Sequence, residues 1–315
     1  MSCSSHDLRT AIPRTQGLST SVGVLTEDQW LESIALHQQR VSPWVRDRLE
    51  RRSRAGKHAV YDFLFDYYPY SPNKLMTWHP GYGVILQGRP PARVYNQPPY
   101  ERVSGGVTAA ITWLEPRITR LNLAIRLLQG ITSRSPVTGC FALHEWAMVY
   151  GLPQSEVRHP YLAMRVTPEE VRATVNSVGL RCTHIDAYRF YTDEAKPLNA
   201  TTPTRVTQPD EDQPGCLHAA MDTYKIAGWF SPLISSDLVA DAFEVAATAR
   251  ELDMRASPYD VSEFGLPAIP VETAAGRRQY AREQESIIHL SAPVRAALLE
   301  VLQALLDSYQ RSADR

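Results

Sequence analysis

Apolar positions recur mostly at helical spacing along this chain. Thr26-Glu27-Asp28-Gln29 sets a threonine cap before acidic first-turn residues, and the period continues through Trp30, Ile34, Leu36 and Val41. Pro43 is expected to break that helix before a second one, Trp44 to Arg54. Tyr61, Phe63, Leu64, Phe65, Tyr67 and Tyr68 predict an aromatic helix, apolar nearly all round and so buried on more than one side. Glycines and prolines interrupt the pattern between Trp78 and Pro99, leaving one short strand at Tyr82 to Leu86. Ile111, Leu114, Ile118, Leu121, Ile125 and Leu128 predict a long helix from about Val107 to Leu128. Another covers Cys140 to Tyr150. Thr167-Pro168-Glu169-Glu170 opens the next, which Gly179 ends. Leu198 to Gly215 is a polar, Pro-rich loop. Helices follow at about Cys216–Phe230, Ser236–Leu252, Thr273–His289 and Ala292–Gln310, with Pro293 in the first turn of the last. The expected fold is mainly α: a single multi-helix domain over 26-310 with a short irregular/strand insertion around residues 78-100. A flexible N-terminal arm at 1-25 and a tail at 311-315 flank it.

Composition adds exclusions. The 315 residues are 43% hydrophobic and 21% charged, as in an ordinary globular protein. Thirty-three basic against 34 acidic residues give a net charge of −1, so no global field draws the chain to nucleic acid. A local one exists: Arg40, Arg46, Arg48, Arg51, Arg52, Arg54 and Lys57 face only Asp47 and Glu50. That stretch suits phosphates or a solvated helix face equally well. No uninterrupted apolar run reaches the roughly 18 to 20 residues of a membrane helix. The Ser/Thr-rich start lacks a signal-peptide core, so the expectation is a cytoplasmic protein without a membrane partner. Cys3, Cys140, Cys182 and Cys216 form no CxxC pair, which rules out a zinc ribbon and argues against a disulfide framework.

Candidate chemistry concentrates in clusters of histidine, carboxylate and aromatic residues. These are Trp78-His79-Pro80-Gly81, Leu143-His144-Glu145-Trp146, His184 to Phe190, Cys216-Leu217-His218 with Asp222, and Asp253 to Asp260. Any single one is more often a hydrogen-bonded core pair than a site. Four His-bearing clusters in one neutral chain exceed what stability requires. The Rossmann fingerprint, P-loop, HExxH, GxSxG and the zinc-deaminase PCxxC are all absent. His184 and Asp186 with His218 supply the residue types of a two-histidine, one-carboxylate iron site, and Asp222 shares a helix face with His218.

Together with Asp62-Phe63-Leu64-Phe65 before Tyr67-Tyr68, these motifs resemble a bacterial family commonly labelled 3-methyladenine DNA glycosylase. The resemblance covers about residues 58 to 290. It rests on Trp78-His79-Pro80-Gly81, Leu143-His144-Glu145-Trp146 and His184-x-Asp186-Ala-Tyr-Arg-Phe190. Gln213-Pro-Gly-Cys-Leu-His218 through Asp222-x-Tyr224-Lys225 and Leu252 to Asp260 complete it. It implies a DNA-repair hydrolase that removes alkylated purines from duplex DNA without a cofactor. Such chemistry needs an aromatic sandwich for a flipped base and a carboxylate for oxocarbenium-like charge. The catalytic candidates are then Asp186, Asp222, Asp253, His144 and Glu145. Trp78, His79, Tyr188, Arg189, Tyr224, Lys225, Arg255, Tyr259 and Asp260 are candidates for substrate binding. The alternative is a helical enzyme of non-haem iron type acting on a small molecule, with a single divalent metal held by His184, Asp186, His218 and Asp222. A non-catalytic helical binding protein is the third reading.

Overall fold

The computed structural model describes residues 23–54, 56–68, 70–88 and 93–314, so residues 1–22 of the expected arm lie outside the described residues. The first described residues are a strand instead of an arm: β1 (Gly23–Leu25). After it α1 (Glu27–Ser53) runs unbroken through Pro43. A proline removes one backbone donor, but the stripe of Trp30, His37, Val41 and Val45 stays buried across it. The aromatic segment is helical only at α2 (Phe63–Asp66), followed by α3 (Pro72–Met76).

The insertion around residues 78–100 is more ordered and longer than the sequence pattern suggests. It holds β2 (Val84–Gln87), β3 (Tyr100–Val103) and β4 (Gly106–Ala109), giving a sheet of order β1-β2-β4-β3. β1 pairs parallel to β2, while β4 pairs antiparallel to both β2 and β3. Gly106 permits the β2–β4 approach, since a Cβ there would lie 2.0 Å from the Leu86 carbonyl oxygen. The long helix expected from Val107 therefore starts late. A 3₁₀ turn carrying Pro116 (Ile111–Arg117) leads into α4 (Ile118–Ser133).

α5 (Leu143–Ala147) is a single turn, shorter than Cys140 to Tyr150. α6 (Pro168–Val178) matches its signals: Thr167 Oγ1 accepts from the Glu170 amide at 3.2 Å, and Gly179 closes the helix at φ 82°. α7 (Ile185–Tyr188) and α8 (Gln208–Glu211) are short turns, the latter inside the expected loop. α9 (Leu217–Phe230), α10 (Ser236–Arg255) and α11 (Ala274–Ala313) form the centre of the molecule. The two terminal helices predicted around Pro293 are one continuous helix, which also takes in most of the expected tail. It contains an 18-residue stretch of mean hydropathy 1.3. By length and composition alone α11 is thus apolar enough to cross a membrane, although Arg295 and Glu300 interrupt its apolar run. Its inner face, with Val294, Leu298, Leu302 and Leu305, is buried.

The architecture is mainly α with a small sheet. α9 carries two of the candidate site residues, His218 and Asp222. Eleven of its fourteen residues are buried, so His218 and Asp222 belong to the interior and not to a solvated helix face.

Candidate active site

α9 carries His218, Asp222 and Lys225 at i, i+4 and i+7, one stripe along a buried helix. The chain enters it through a fixed turn. Gln213 Oε1 accepts from the amides of Val137 (2.8 Å) and Gly215 (2.7 Å), and the Gly215 carbonyl accepts from Gln284 Nε2 at 2.6 Å. α10 contributes Arg250 and Asp253 three residues apart, 2% and 0% exposed. α5 contributes His144 and Glu145 and follows two non-glycine residues in the left-handed region, Phe141 (φ 47°) and Ala142 (φ 55°). Such conformations cost about 1–3 kcal/mol each and gather at functional sites.

Two groups form within this interior. In the first, His144 Nε2 lies 2.7 Å from Asp253 Oδ1, while Arg250 donates to Asp253 Oδ2 at 2.6 Å and to Glu145 Oε1 at 2.8 Å. Ligand atoms of His144, His218 and Asp253 all fall within 4.8 Å of one another. Burial disfavours charge on His144, but Asp253 and then Glu145 outweigh it and hold the imidazole above its ordinary value. Asp253 is held low against its burial by His144 and Arg250. His218 differs. Burial and the two neighbouring histidines push it well below its usual range, so it is neutral, and its Nδ1 has no hydrogen-bond partner among the described residues.

In the second group, ligand atoms of His184, Asp186 and Asp222 also lie within 4.8 Å of one another. The Asp186 amide donates to His184 Nδ1 at 3.2 Å, leaving Nε2 to face Asp222 Oδ2 at 3.3 Å and Asp212 Oδ2 at 3.6 Å. Burial opposes charge on His184, yet Asp212 and Asp222 raise it overall. Lys225 pairs with Asp222 and reaches Asp186 Oδ2 at 3.4 Å. Arg205 takes both oxygens of Asp186, and Arg189 Nε adds a contact at 3.3 Å. Cations already occupy this group's carboxylates. The two groups meet where His184 stacks on His218, ring centres 5.3 Å apart, and His218 meets His144 edge-on at 4.6 Å.

A narrow cleft with about 10 Å³ of room, enough for about one water molecule, reaches this interior. Glu145, His218 and Arg250 line its depth, and Phe63, Arg158 and Phe190 are also in its walls.

The remaining sequence candidates scatter. Trp78 is buried, its carbonyl accepting from Tyr95 Oη at 2.6 Å. His79 bonds Tyr100 Oη through Nδ1, and burial pushes its pKa down to about 4. Tyr224 sits among Tyr68, Tyr70 and Phe243, Tyr188 beside Tyr191, and Tyr259 against His159. No ring contact joins Trp78, Tyr188, Tyr224 and Tyr259 among the described residues. Arg255 turns outward to Glu283 on α11, with which it pairs at 2.5 Å, and Asp260 accepts from the Ser262 amide at the surface. Of the basic stretch, Arg40 pairs with Asp241 and Glu244, while Arg48 and Arg51 pair with Asp62. Sequence reasoning passed over Arg250, Arg205 and Asp212. Arg250 carried a signal, an arginine three residues before Asp253 in an apolar helix; the other two lie in an aperiodic loop.

No known protein family, curated protein or solved structure matches the chain. The reading therefore rests on the geometry.

Proposed function

We propose that the chain is a metal-dependent enzyme of non-haem iron type that acts on a small molecule in the cleft. Its centre is His144, His218 and Asp253, a two-histidine, one-carboxylate set that shares His218 with the His184, Asp186, His218 and Asp222 expected above. One observation carries this: a neutral, buried imidazole, His218, has an orphan nitrogen beside a second histidine and an ionised carboxylate. His37 Nδ1 is another such buried atom without a partner; what sets His218 apart is that its neighbours, His144 and Asp253, bring ligand atoms within 4.8 Å, and a bound cation is one of the standard reasons for an unpaired buried atom. A divalent ion there would supply a Lewis-acid or redox centre.

The surrounding residues have distinct tasks. Arg250 neutralises Glu145 and keeps Asp253 ionised and oriented. His184, packed on His218 and facing Asp222 and Asp212, holds a proton one ring away from the centre. Lys225 fixes the Asp222 and Asp186 carboxylates behind it.

The resemblance to alkyl-purine glycosylases is the competing proposal. It has less support from the geometry, because the aromatic candidates lie apart. Elemental analysis of protein purified without chelators tests the two. The expected result is about one divalent transition metal per chain, lost in His218→Ala while circular dichroism stays unchanged. Wild-type protein without bound metal, or metal retained in both His218→Ala and His144→Ala, would sink the proposal. Release of 3-methyladenine from alkylated duplex DNA by metal-free protein would establish the competitor.

A further inference from the structure

The room in the cleft limits what can reach the centre. About 10 Å³ is free, the space of about one water molecule, and Phe63, Met148 and Phe190 are the apolar residues that narrow it. Met148 is 8% exposed, and the Phe190 ring carries the guanidinium groups of Arg158 and Arg189, each 4.4 Å from its centre. Charge does not select the occupant. Arg250 is matched by Glu145 and Asp253, and Arg205 and Lys225 are matched by Asp186 and Asp222. Size and hydrogen bonding remain.

The same small room is polar. His218 Nδ1 and Arg250 Nε are both buried without a partner among the described residues, and both residues line the cleft. They are 5% and 2% exposed. Unpaired buried polar atoms are costly, and a small bound molecule is a standard way to satisfy them. Arg250 Nε can only donate, so such a molecule presents an acceptor to it. Glu145, whose Oε1 accepts from Arg250 at 2.8 Å, also lines the cleft and adds a further polar partner. With a metal held on His218, a molecule in this room is within reach of the metal's open position.

We propose that the open position of the metal centre takes one molecule of about a water's size, beside Arg250 Nε, and that Phe63, Met148 and Phe190 keep ring-sized ligands off the metal. This names the substrate class of the centre proposed above, a water-sized molecule with a hydrogen-bond acceptor, and rests on that reading for the metal itself.

Nitric oxide and imidazole are the probes, one small and one ring-sized, added without air to the chain loaded with iron(II). Nitric oxide is expected to bind, giving the visible absorption and paramagnetic signal of an iron nitrosyl, and to bind Met148→Ala and Phe190→Ala as it binds wild type. Imidazole should bind wild type at least about tenfold more weakly than it binds either variant, since forcing extra volume into a packed wall carries a penalty of that size or more. Phe190 is only half-buried, so its variant keeps the test open where Met148→Ala is destabilised. Imidazole binding wild type as tightly as both variants overturns the proposal, as does an iron-loaded chain that forms no nitrosyl. Iron content of the same samples separates the two claims. A chain that takes up no iron defeats the metal centre and this inference with it, while an iron-loaded chain that admits imidazole as readily as its variants defeats this inference alone.

Discussion

Asp222 is the joint between the two buried groups, and its replacement tests whether their electrostatics are as the geometry implies. Burial alone would raise this carboxyl, but Lys225 and then His184 bring it down from 3.8 to about 2. A shift of that size stabilises the folded state by about 2 kcal/mol wherever the carboxyl is ionised in the unfolded chain. Because the folded value is the lower one, that stability is present above the ordinary value of 3.8 and is lost as pH falls through about 2. Asp222→Asn keeps the shape and removes the titration. At neutral pH it should cost about 2–4 kcal/mol, the linkage contribution plus the penalty of leaving Lys225 and His184 less compensated. Between pH 5 and the lowest pH at which the protein stays folded, the gap between wild type and variant should close by up to about 2 kcal/mol. Urea melts at a series of pH values read this directly. Acid limbs that run parallel in the two proteins would show that Asp222 is not held low by its neighbours, and the description of the second group would fail.

Other outcomes follow from the same geometry. Because His144 is raised by Asp253, a metal must displace its proton; zinc affinity should rise with pH by about tenfold per unit until His144 is deprotonated, and a pH-independent affinity between pH 5 and 8 would contradict this. Arg250→Met strands Glu145 and Asp253 in the interior and should destabilise by about 3–5 kcal/mol in urea, whereas Glu145→Leu, Arg250→Met and Asp253→Leu together should recover most of that loss and bind no metal. A Cβ at Gly215 would lie 2.4 Å from the Val137 carbonyl oxygen, so Gly215→Ala should cost about 1–3 kcal/mol and weaken metal retention by shifting the start of α9; a melting temperature and metal content equal to wild type would refute it.

What the sequence made legible follows from the range of the forces involved. Capping is local, so Thr167-Pro168-Glu169-Glu170 and Gly179 bound α6 as expected. The two prolines inside α1 and α11 misled because a helix with a well-buried face tolerates one missing hydrogen bond, and burial is a tertiary fact. β1 and β4 went unseen for the same reason: β1 is three residues long and finds its partner some sixty residues away. The site shows the same division. Clusters containing His144, His184, His218 and Asp253 stood out because polar residues in apolar surroundings are visible in one dimension. Their grouping was not visible, since it depends on how α5, α9 and α10 cross, and that crossing brings His218 to His144 and Asp253 while it stays stacked on His184.

The strongest reason to treat this interior as functional is its cost. Well-packed apolar residues at such positions would usually serve stability as well or better than a buried ionic network. Yet α9 and α10, whose buried faces are mostly Ala, Leu, Val, Met and Phe, carry His218, Asp222, Arg250 and Asp253 at 5% exposure or less, and Asp241 is buried on α10 as well. The backbone strain at Phe141 and Ala142 falls on the segment that delivers His144 and Glu145 to the same place. Buried charge and strained backbone are independent expenses, and natural sequences depart from the locally stable choice mainly where function requires it. Their coincidence at the foot of one cleft, around a histidine whose Nδ1 has no partner among the described residues, is what the proposed metal centre would account for and a polar core that serves only to specify the fold would not.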